Sequence, residues 1–476
     1  MDFTGLKAEK MLGFFEEITK VPRPSGQEGV IADFLCSFLQ ERGLPYQRDD
    51  HNNVFAVMPS SAGREQEEPV MLQGHMDMVC EADSGVNWDI GKEGIRLLRD
   101  GDWLKADGTT LGGDDGFAVA VMLALLDGAC PSHPRLECLF TTDEEVGLGG
   151  AKAFDFSPVT AKKLINLDSE EENCVLVSCA GGMRIDILSR YEWMDFDGCA
   201  LRVTIDGLMG GHSGADIHLG RTSANRALAA ALKLVCDRTR VNLAAFDGGS
   251  KDNAITRSAS AVIGVSDLAA AMEALSAAEG AFRTGLSTED AASAIFRVER
   301  CSAPEKMLSR TDSRQLCDFV SLLPFGALER NAALGIVETS CNLGIVHLTA
   351  EGAEISLLAR SQDDAKLDHL DDVIEMLCVS YGAEKSVRSR YPGWPYNADS
   401  PLCRAYCNAF EQTAGYRPQV CGIHAGLECG IFKKKRPDMD MISIGADMKD
   451  VHTPRERMSV SSCDRIWQTL CRLLAE

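Results

Sequence analysis

The pattern of hydrophobic and polar residues predicts buried strands that alternate with helices. Apolar residues recur at helical spacing in two stretches near the start of the chain, and short apolar runs typical of strands follow. The predicted helices are residues 5–20, 27–42, 117–126, 401–414 and 461–474, and the predicted strands are 53–58, 69–73, 135–142, 163–167 and 441–444. Strands that alternate with helices indicate an α/β fold around a central sheet.

The middle of the chain repeats one arrangement of strands and helices. The first set comprises residues 200–205, 224–236, 261–265 and 268–280, and the second comprises 296–298, 308–319, 335–348, 354–358 and 367–381. We interpret this weak similarity as an inserted α+β domain of two related halves, residues 183–391. Residues 1–182 and 392–476 then form one discontinuous domain, joined to the insert at a Gly-Gly pair and a Pro-rich stretch.

A short segment between the first two predicted helices contains residues that end one helix and begin the next. Two prolines and a glycine in residues 22–26 end the first helix. Ser25, with Glu28 three residues later, predicts a capping box for the second helix.

The amino-acid composition and net charge limit the classes of protein and of binding partner that fit this chain. The 476 residues are 45% hydrophobic and 25% charged, as in ordinary globular proteins. A formal net charge of -23 repels nucleic acid and anionic membrane surfaces. The N-terminal residues contain no long uncharged apolar run, which favours a cytoplasmic protein. The eighteen cysteines form no Cys-x-x-Cys pair, so we expect reduced thiols.

His75 and Asp77, which follow the strand at residues 69–73, are the first candidate functional residues. Side chains two residues apart along a strand point to the same side. An imidazole with a neighbouring carboxylate suits a metal ligand and the group that orients it. For such a pair alone, a structural histidine beside a surface aspartate is the more frequent situation.

Three further strand or loop ends also carry acidic residues. Asp114 and Asp115 follow a glycine-rich loop and precede an apolar helix, where helix capping is an equally good explanation. Glu144 and Glu145 follow the strand at 135–142, and they would point in opposite directions unless the chain bends there. Asp168 follows the strand at 163–167. The repeated placement of acids at strand ends argues against chance surface charge.

Together these residues make a mixed nitrogen and oxygen donor set. The candidate ligands are His75, Asp114, Glu145, Asp168 and His452. Imidazoles and carboxylates without thiolates suit zinc, cobalt or manganese in a catalytic site. Five ligands are one too many for a single tetrahedral zinc and fit a pair of ions that share a carboxylate.

These motifs resemble, in order, those of the co-catalytic di-zinc exopeptidases, a family that includes aminoacylases, tripeptidases and carnosinase-like dipeptidases. The matching segments are residues 73–79, 106–116, 142–147, 166–170 and 451–454. Residues 210–218 and 423–430 are most similar to the bacterial aminoacyl-histidine dipeptidase branch. The resemblance implies a mixed-sheet catalytic domain with an inserted lid domain.

The resemblance also implies roles for individual residues. Asp114 would bridge two zinc ions, with His75 and Asp168 on one ion and Glu145 and His452 on the other. Glu144 would be the general base, and Asp77 the carboxylate beside His75. In the insert, His212 would donate a hydrogen bond to the oxyanion, and Arg360 would hold the substrate carboxylate. Weaker candidates for the substrate pocket are Asn253, His424 and Glu428.

The resulting hypothesis is a zinc dipeptidase that prefers a C-terminal histidine, β-alanyl-histidine included. Two metal ions can share and acidify a water molecule while they polarise the scissile carbonyl. An N-acyl amino acid deacylase or a tripeptidase is the nearest alternative, and a non-catalytic metal-binding scaffold is a remote one. The expected partner is a small peptide, not nucleic acid or a membrane. A homodimer through the insert is consistent with the resemblance.

Overall fold

The computed structural model describes residues 1–89 and 91–476. In chain order its helices are α1 (Glu9–Ile18), α2 (Gly29–Glu41), α3 (Gly113–Leu126), α4 (Gly149–Ala153), α5 (Ala224–Arg238), α6 (Leu268–Thr284), α7 (Thr288–Ala291), α8 (Arg310–Leu322), α9 (Asp364–Tyr381), α10 (Pro401–Ala414), α11 (Glu428–Lys435) and α12 (Val460–Ala475). Its strands are β1 (Tyr46–Arg48), β2 (Val54–Met58), β3 (Val70–His75), β4 (Leu97–Asp100), β5 (Trp103–Ala106), β6 (Leu136–Thr141), β7 (Lys163–Asn166), β8 (Cys174–Cys179), β9 (Gly181–Ser189), β10 (Trp193–Asp195), β11 (Cys199–Asp206), β12 (Gly211–His212), β13 (Val241–Gly248), β14 (Ala254–Ile255), β15 (Ala259–Val265), β16 (Ile295–Cys301), β17 (Lys306–Leu308), β18 (Gly326–Asn331), β19 (Ile336–Leu348), β20 (Ala353–Ser361), β21 (Ala383–Tyr391), β22 (Gln419–Ile423), β23 (Asp440–Ser443), β24 (Met448–Lys449) and β25 (Arg457–Ser459).

The chain forms two compact units. The first comprises residues 1–179, 394–422 and 427–476, and the second comprises residues 180–393 and 423–426. Gly181 and Gly182, expected to close the first domain, instead begin β9 and pair with β20 and β21 of the second unit. The relation between the two halves of the insert and its role as a lid remain predictions.

An eight-stranded sheet organises the first unit, in the order β1-β2-β6-β3-β7-β23-β8-β22. The central strands β6, β3, β7 and β23 run parallel, whereas β1, β2 and β8 add antiparallel pairs. The predicted mixed α/β sheet is therefore confirmed. Every residue of β3 is buried, and α3 is buried on all sides from Asp115 onward, as its continuous apolar sequence predicts.

The predicted capping box at the start of α2 is wrong. The Ser25 hydroxyl donates to Asp77 Oδ2 at 2.8 Å instead of to the helix. Glu28 Oε1 accepts hydrogen bonds from the backbone N–H groups of Gly26 and Asp143 at 2.8 and 3.1 Å. Ser25 and Glu28 have the spacing of a capping box. Groups from segments distant in sequence, at Asp77 and Asp143, bind these two side chains instead.

The second unit is built on an antiparallel sheet. Its order is β16-β11-β15-β13-β19-β20-β9-β21, and β18 also pairs with β19. Helices α5, α6, α8 and α9 contribute to one core with alternate residues of the strands, such as Leu201 and Val203. The opposite side of β11 and β15 packs Ala200 and Val262 against Met307 of β17. Both strand-helix sets thus share one continuous sheet.

No helix within residues 1–89 and 91–476 is long and apolar enough to cross a membrane. The cysteines of those residues are free thiols.

Gly74 permits the close approach of β3 to α3. A Cβ atom at this position would overlap the Cβ of Ala118 and the Oδ2 of Asp115. We expect Gly74→Ala to lower the free energy of unfolding by about 1–3 kcal/mol, the usual cost of overpacking a core. Urea denaturation measures the change.

Gly13→Ala is the matched control, because Gly13 lies within α1 with nothing within 4 Å of the added carbon. Alanine at a helix interior position favours folding by about 0.5–1 kcal/mol relative to glycine. Equal effects of the two substitutions would contradict the packing argument.

Candidate metal centre

The parallel strands β3, β6 and β7 bring three acidic or imidazole-bearing segments to one edge of the first unit's sheet. His75 is the last residue of β3 and is 1% exposed. The strand β6 ends at Thr141, just before Glu144 and Glu145, and β7 ends two residues before Asp168. Carboxyl ends of adjacent parallel strands lie side by side, so these side chains converge.

Asp114 lies between the two imidazoles. Its Oδ1 is 3.0 Å from His75 Nε2, and its Oδ2 is 3.0 Å from His452 Nε2. Asp168 Oδ1 is 3.5 Å from His75 Nε2, and Glu145 Oε1 is 2.9 Å from His452 Nε2. All five predicted ligands therefore belong to one cluster, in which each oxygen of Asp114 faces a different histidine.

The donors fit a metal centre better than a hydrogen-bonded cluster. His75, Asp114 and Glu145 offer ligand atoms within 4.8 Å of one another, as do His75, Asp115 and Asp168. Within residues 1–89 and 91–476, Glu145 Oε1 is buried and accepts no hydrogen bond of good geometry, although His452 Nε2 lies 2.9 Å away. Buried carboxylate oxygens without donors are costly unless a cation neutralises them. The donor set lacks thiolates, which suits a divalent ion such as zinc, cobalt or manganese.

The charges of the cluster shift its pKa values strongly. A hydrogen bond to Asp114 and the adjacent carboxylate of Glu145 raise the pKa of His452 to about 11. Burial opposes ionisation of Asp114, but the two imidazoles outweigh it and hold its pKa well below the usual range. Burial raises the pKa of Asp168 to about 6. The carboxylates thus attract positive charge, whether protons on the imidazoles or a metal ion.

Asp77 connects His75 to the acidic loop. Its Oδ1 lies 3.4 Å from His75 Nδ1, on the same side of the chain, as the spacing predicts. The two carboxylate oxygens also accept hydrogen bonds from the backbone N–H groups of Glu144 and Glu145, at 3.2 and 3.4 Å. Asp77 is completely buried. One side chain therefore fixes both the imidazole and the loop that follows β6.

Glu144 is oriented by a bend in the chain. Asp143 has a φ of 53°, in the left-handed region, so the neighbouring Glu144 and Glu145 leave the alternation of a regular strand. Glu144 is partly exposed. Burial, followed by the nearby carboxylates of Asp168 and Glu428, raises its pKa well above the usual value. Such a group binds a proton more readily than an ordinary carboxylate.

In the second unit, the contacts of His212 determine its tautomer. His212 Nδ1 accepts hydrogen bonds from the backbone N–H groups of Gly214 and Ala215, at 3.2 and 3.1 Å. A neutral imidazole with an acceptor Nδ1 has its hydrogen on Nε2. Burial and the positive charge of Arg360 lower the pKa of His212, which favours this neutral form. The side chain is exposed and offers an N–H donor to the surroundings.

Arg360 and His424 lie in the same unit. Arg360 is 6% exposed, and its Nη1 donates to the Tyr391 hydroxyl at 3.2 Å. Its Nε has no hydrogen-bond partner in the part of the chain that the structure describes. His424 Nε2 lies 2.7 Å from Ser340 Oγ. Burial and the charge of Arg360 lower the pKa of His424 to about 4, so this histidine is neutral at ordinary pH.

The remaining two candidates occupy different surroundings. The backbone carbonyl of Asn253 accepts a hydrogen bond from Ser213 N at 2.9 Å, next to His212. Glu428 belongs to the first unit and is completely buried, with Oε2 bound by Gln73 and Thr141. Burial raises the pKa of Glu428 to about 8. The structure thus places Glu428 beneath the sheet edge, in a network that begins two residues before His75.

Sequence reasoning missed the residues that hold the ligand loops in place. Ser25 binds Asp77, Arg23 binds the carbonyl groups of residues 76, 77 and 112, and Glu456 binds the loop before Asp114. Nothing in the pattern of hydrophobic residues marks these side chains. The position of Glu456 four residues after His452 is the one available signal.

A sheet edge with two imidazoles and three carboxylates, one of which is an aspartate shared by both imidazoles, is typical of metallopeptidases, and this is the class that the fold and the site define. The model of the family described as "Peptidase family M20/M25/M40" matches residues 71–476 of this chain. The chain belongs to this peptidase family.

Comparison with individual proteins agrees with the family. The chain is 34% identical over 486 residues to the cytosol non-specific dipeptidase of Escherichia coli (strain K12), covering 100% of this chain and 99% of that protein. The crystal structure of aminoacylhistidine dipeptidase from Vibrio alginolyticus matches with a TM-score of 0.95 and 30% identity, covering 100% of this chain and 98% of that one. Aminopeptidase PepT from Bacillus cereus, at 16% identity, shares the fold with a TM-score of 0.57 over 99% and 98% of the two chains.

We expect the purified protein to bind two divalent ions per chain. His452→Ala removes the imidazole that faces Asp114 Oδ2 and Glu145 Oε1, and should reduce the tight sites from two to one. Equilibrium dialysis followed by elemental analysis gives the stoichiometry. His51→Ala, at an exposed histidine of the same unit, is the control. One tight site in the unchanged protein, with no effect of His452→Ala, would contradict this assignment.

Proposed function

We propose that this protein hydrolyses dipeptides in a metal-dependent reaction, with a preference for Xaa-His substrates including β-alanyl-histidine. The observation that supports this most strongly is the cluster in which Asp114 faces His75 with one oxygen and His452 with the other. The relative of known structure named aminoacylhistidine dipeptidase supports the substrate class. The name of the cytosol dipeptidase relative favours a cytoplasmic protein.

The first unit would supply every metal ligand. Asp114 would bridge two ions, with His75 and Asp168 holding one and Glu145 and His452 the other. Zinc is the preferred ion in this proposal, and cobalt or manganese suits the same donors. When bound, the ions would polarise the scissile carbonyl and lower the pKa of a water molecule.

Glu144 would be the general base. Its carboxylate would take a proton from the attacking water and later give it to the nitrogen of the leaving amino acid. The raised pKa of Glu144 supports this role, because a carboxylate that binds protons readily transfers them more effectively near neutral pH. Asp77 would keep Glu144 in place through its hydrogen bond to the backbone N–H group.

The second unit would bind the substrate. His212 would donate its Nε2–H group to the oxyanion that develops on the carbonyl oxygen. Arg360 would bind the free carboxylate of the dipeptide through its guanidinium group, whose Nε is without a hydrogen-bond partner among the described residues. Asn253 and His424 of this unit, and Glu428 of the first unit, would be weaker candidates for the substrate pocket. A homodimer through this unit remains a prediction from the family resemblance.

The role of Glu144 predicts a separation of catalysis from metal binding. Glu144→Gln keeps the shape of the side chain but removes its basicity, so kcat should fall by about two to four orders of magnitude. Metal content should remain unchanged, because Glu144 is not among the proposed ligands. Glu171→Gln, at an exposed neighbour of the same sheet edge, should leave both unaffected. Normal turnover by Glu144→Gln would refute the assignment.

The role of the second unit predicts different effects for its two residues. His212→Ala should lower kcat by about two to three orders of magnitude, the usual cost of losing one oxyanion donor, with metal stoichiometry retained. Arg360→Ala should mainly raise KM for peptides with a free carboxylate. A kinetic comparison of free and C-terminally amidated dipeptides tests this. Near-normal kcat for His212→Ala, or equal losses on both peptides for Arg360→Ala, would count against these roles.

A further inference from the structure

The loop that leads into α3 is held by a carboxylate from the other end of the chain. Glu456 Oε2 accepts hydrogen bonds from the backbone N–H groups of Leu111 and Gly112, at 2.8 and 3.0 Å. Its Oε1 accepts from Gly113 and Asp114, at 2.8 and 3.3 Å. Glu456 is 2% exposed. One buried side chain thus binds four successive N–H groups that end at the proposed bridging ligand.

A helix start needs such acceptors, but a local residue usually supplies them. The first N–H groups of a helix have no partner within it, and a Ser, Thr, Asp or Asn at the N-cap normally accepts one. At α3 the N-cap is Gly112, which has a φ of 66° and no side chain, and the backbone angles of Asp114 and Asp115 are still non-helical. Asp115 Oδ1 accepts a hydrogen bond from the Ala118 N–H at 3.1 Å and so caps the regular part of the helix locally, whereas the N–H groups of residues 111–114 are bound by Glu456. Because the acceptor comes from a distant segment, it fixes the loop relative to that segment.

The segment that supplies Glu456 also supplies His452. The backbone N–H of Glu456 donates to the carbonyl of Thr453 at 3.0 Å, so a short turn joins the two residues. His452 Nε2 contacts the Asp114 side chain at 3.0 Å, and the Glu456 carboxylate contacts the Asp114 backbone. Two contacts from one turn therefore determine the position of Asp114 relative to His452.

Arg23 holds the same loop from the other direction. It is 1% exposed, and its guanidinium group donates to the carbonyl groups of Met76 and Asp77, at 3.1 Å each, and of Gly112. Burial lowers the pKa of Arg23, and the negative charge of Glu456 opposes that shift. Arg23 thus binds the loop through the carbonyl of Gly112, on the side of His75. Glu456 binds it through its N–H groups, on the side of His452.

We infer that Glu456 is a positioning residue of the metal centre, which keeps Asp114 in register with His452. This inference rests on the proposed metal ligands. Glu456 does not contact substrate or metal in this role. It acts through the backbone of a ligand, much as the partners of metal-bound groups orient them in other proteins, where removing such a partner typically costs about 10- to 100-fold in metal affinity.

If Glu456 had a purely structural role, replacing it would lower stability without a specific loss of Zn²⁺ affinity. The chain provides a matched control for this comparison. Glu137 of β6 is also completely buried in the first unit, and its carboxylate accepts hydrogen bonds from the backbone N–H groups of Thr160 and Ala161. None of the proposed metal ligands is among its hydrogen-bond partners. Replacing either glutamate with glutamine removes comparable hydrogen bonds to backbone N–H groups, but only one of the two carboxylates holds the Asp114 loop.

The experiment compares Glu456→Gln and Glu137→Gln with the unchanged full-length protein. Urea denaturation of the metal-free proteins measures stability, and competition with a chromophoric chelator measures Zn²⁺ affinity. We expect both variants to lose stability, but only Glu456→Gln to lose Zn²⁺ affinity, by about 10- to 100-fold. At saturating Zn²⁺, Glu456→Gln should lower kcat while KM stays nearly constant. Glu456→Asp, which retains the charge but withdraws the carboxylate, provides a second variant if the glutamine variant does not fold.

Unchanged Zn²⁺ affinity in a folded Glu456 variant would overturn the inference, as would equal losses of affinity in the Glu456 and Glu137 variants. Failure of the proposed function gives a different result. In that case the unchanged protein itself would bind no Zn²⁺ tightly, and the inference would fall with the metal centre on which it rests.

Discussion

The first unit depends on a sheet edge that keeps several carboxylates close together with little access to water. Those at the edge are Asp77, Asp114, Asp115, Glu145, Asp168 and Glu456. Negative charges repel one another strongly when water is excluded, and each buried charge also loses its hydration. The edge is stable only if fixed donors and cations compensate each group.

Backbone N–H groups provide part of the fixed compensation. Asp77 accepts from the backbone of residues 144 and 145, Glu28 from residues 26 and 143, and Glu456 from residues 111 to 114. Apart from Gly26, these donors belong to loops that carry the proposed ligands and base. The same hydrogen bonds that make the carboxylates tolerable therefore also hold the loops, which connects the folding of this edge to the geometry of the site.

The second unit favours neutral histidines, whereas the first unit favours positively charged ones. Burial and the positive charge of Arg360 favour neutral imidazoles at His212 and His424, whereas the carboxylates of the first unit favour protonated or metal-bound imidazoles at His75 and His452. Four histidines of one chain thus experience opposite electrostatic environments. This difference agrees with ligands in one unit and a hydrogen-bond donor in the other.

The sequence by itself determined the α/β class, most of the strands and helices near the site, and the five residues that cluster. Those features are local: a strand shows its alternation and its last residue, and His75 and Asp77 share a side because of a two-residue period. The sequence pattern missed β1, β8 and β22 of the first unit's main sheet and the helices α4 and α11. It started α3 at residue 117, close to the regular part of the helix, because Asp114 and Asp115 have non-helical backbone angles.

Only the tertiary structure decided how the site is held. Ser25 and Glu28 have the spacing of a capping box, yet they bind Asp77 and Asp143. Arg23 and Glu456 bind a loop that is distant from both of them in sequence. A hydrogen bond between remote segments leaves no periodic signal, because its partner is selected by the packing of the whole sheet and not by neighbouring residues.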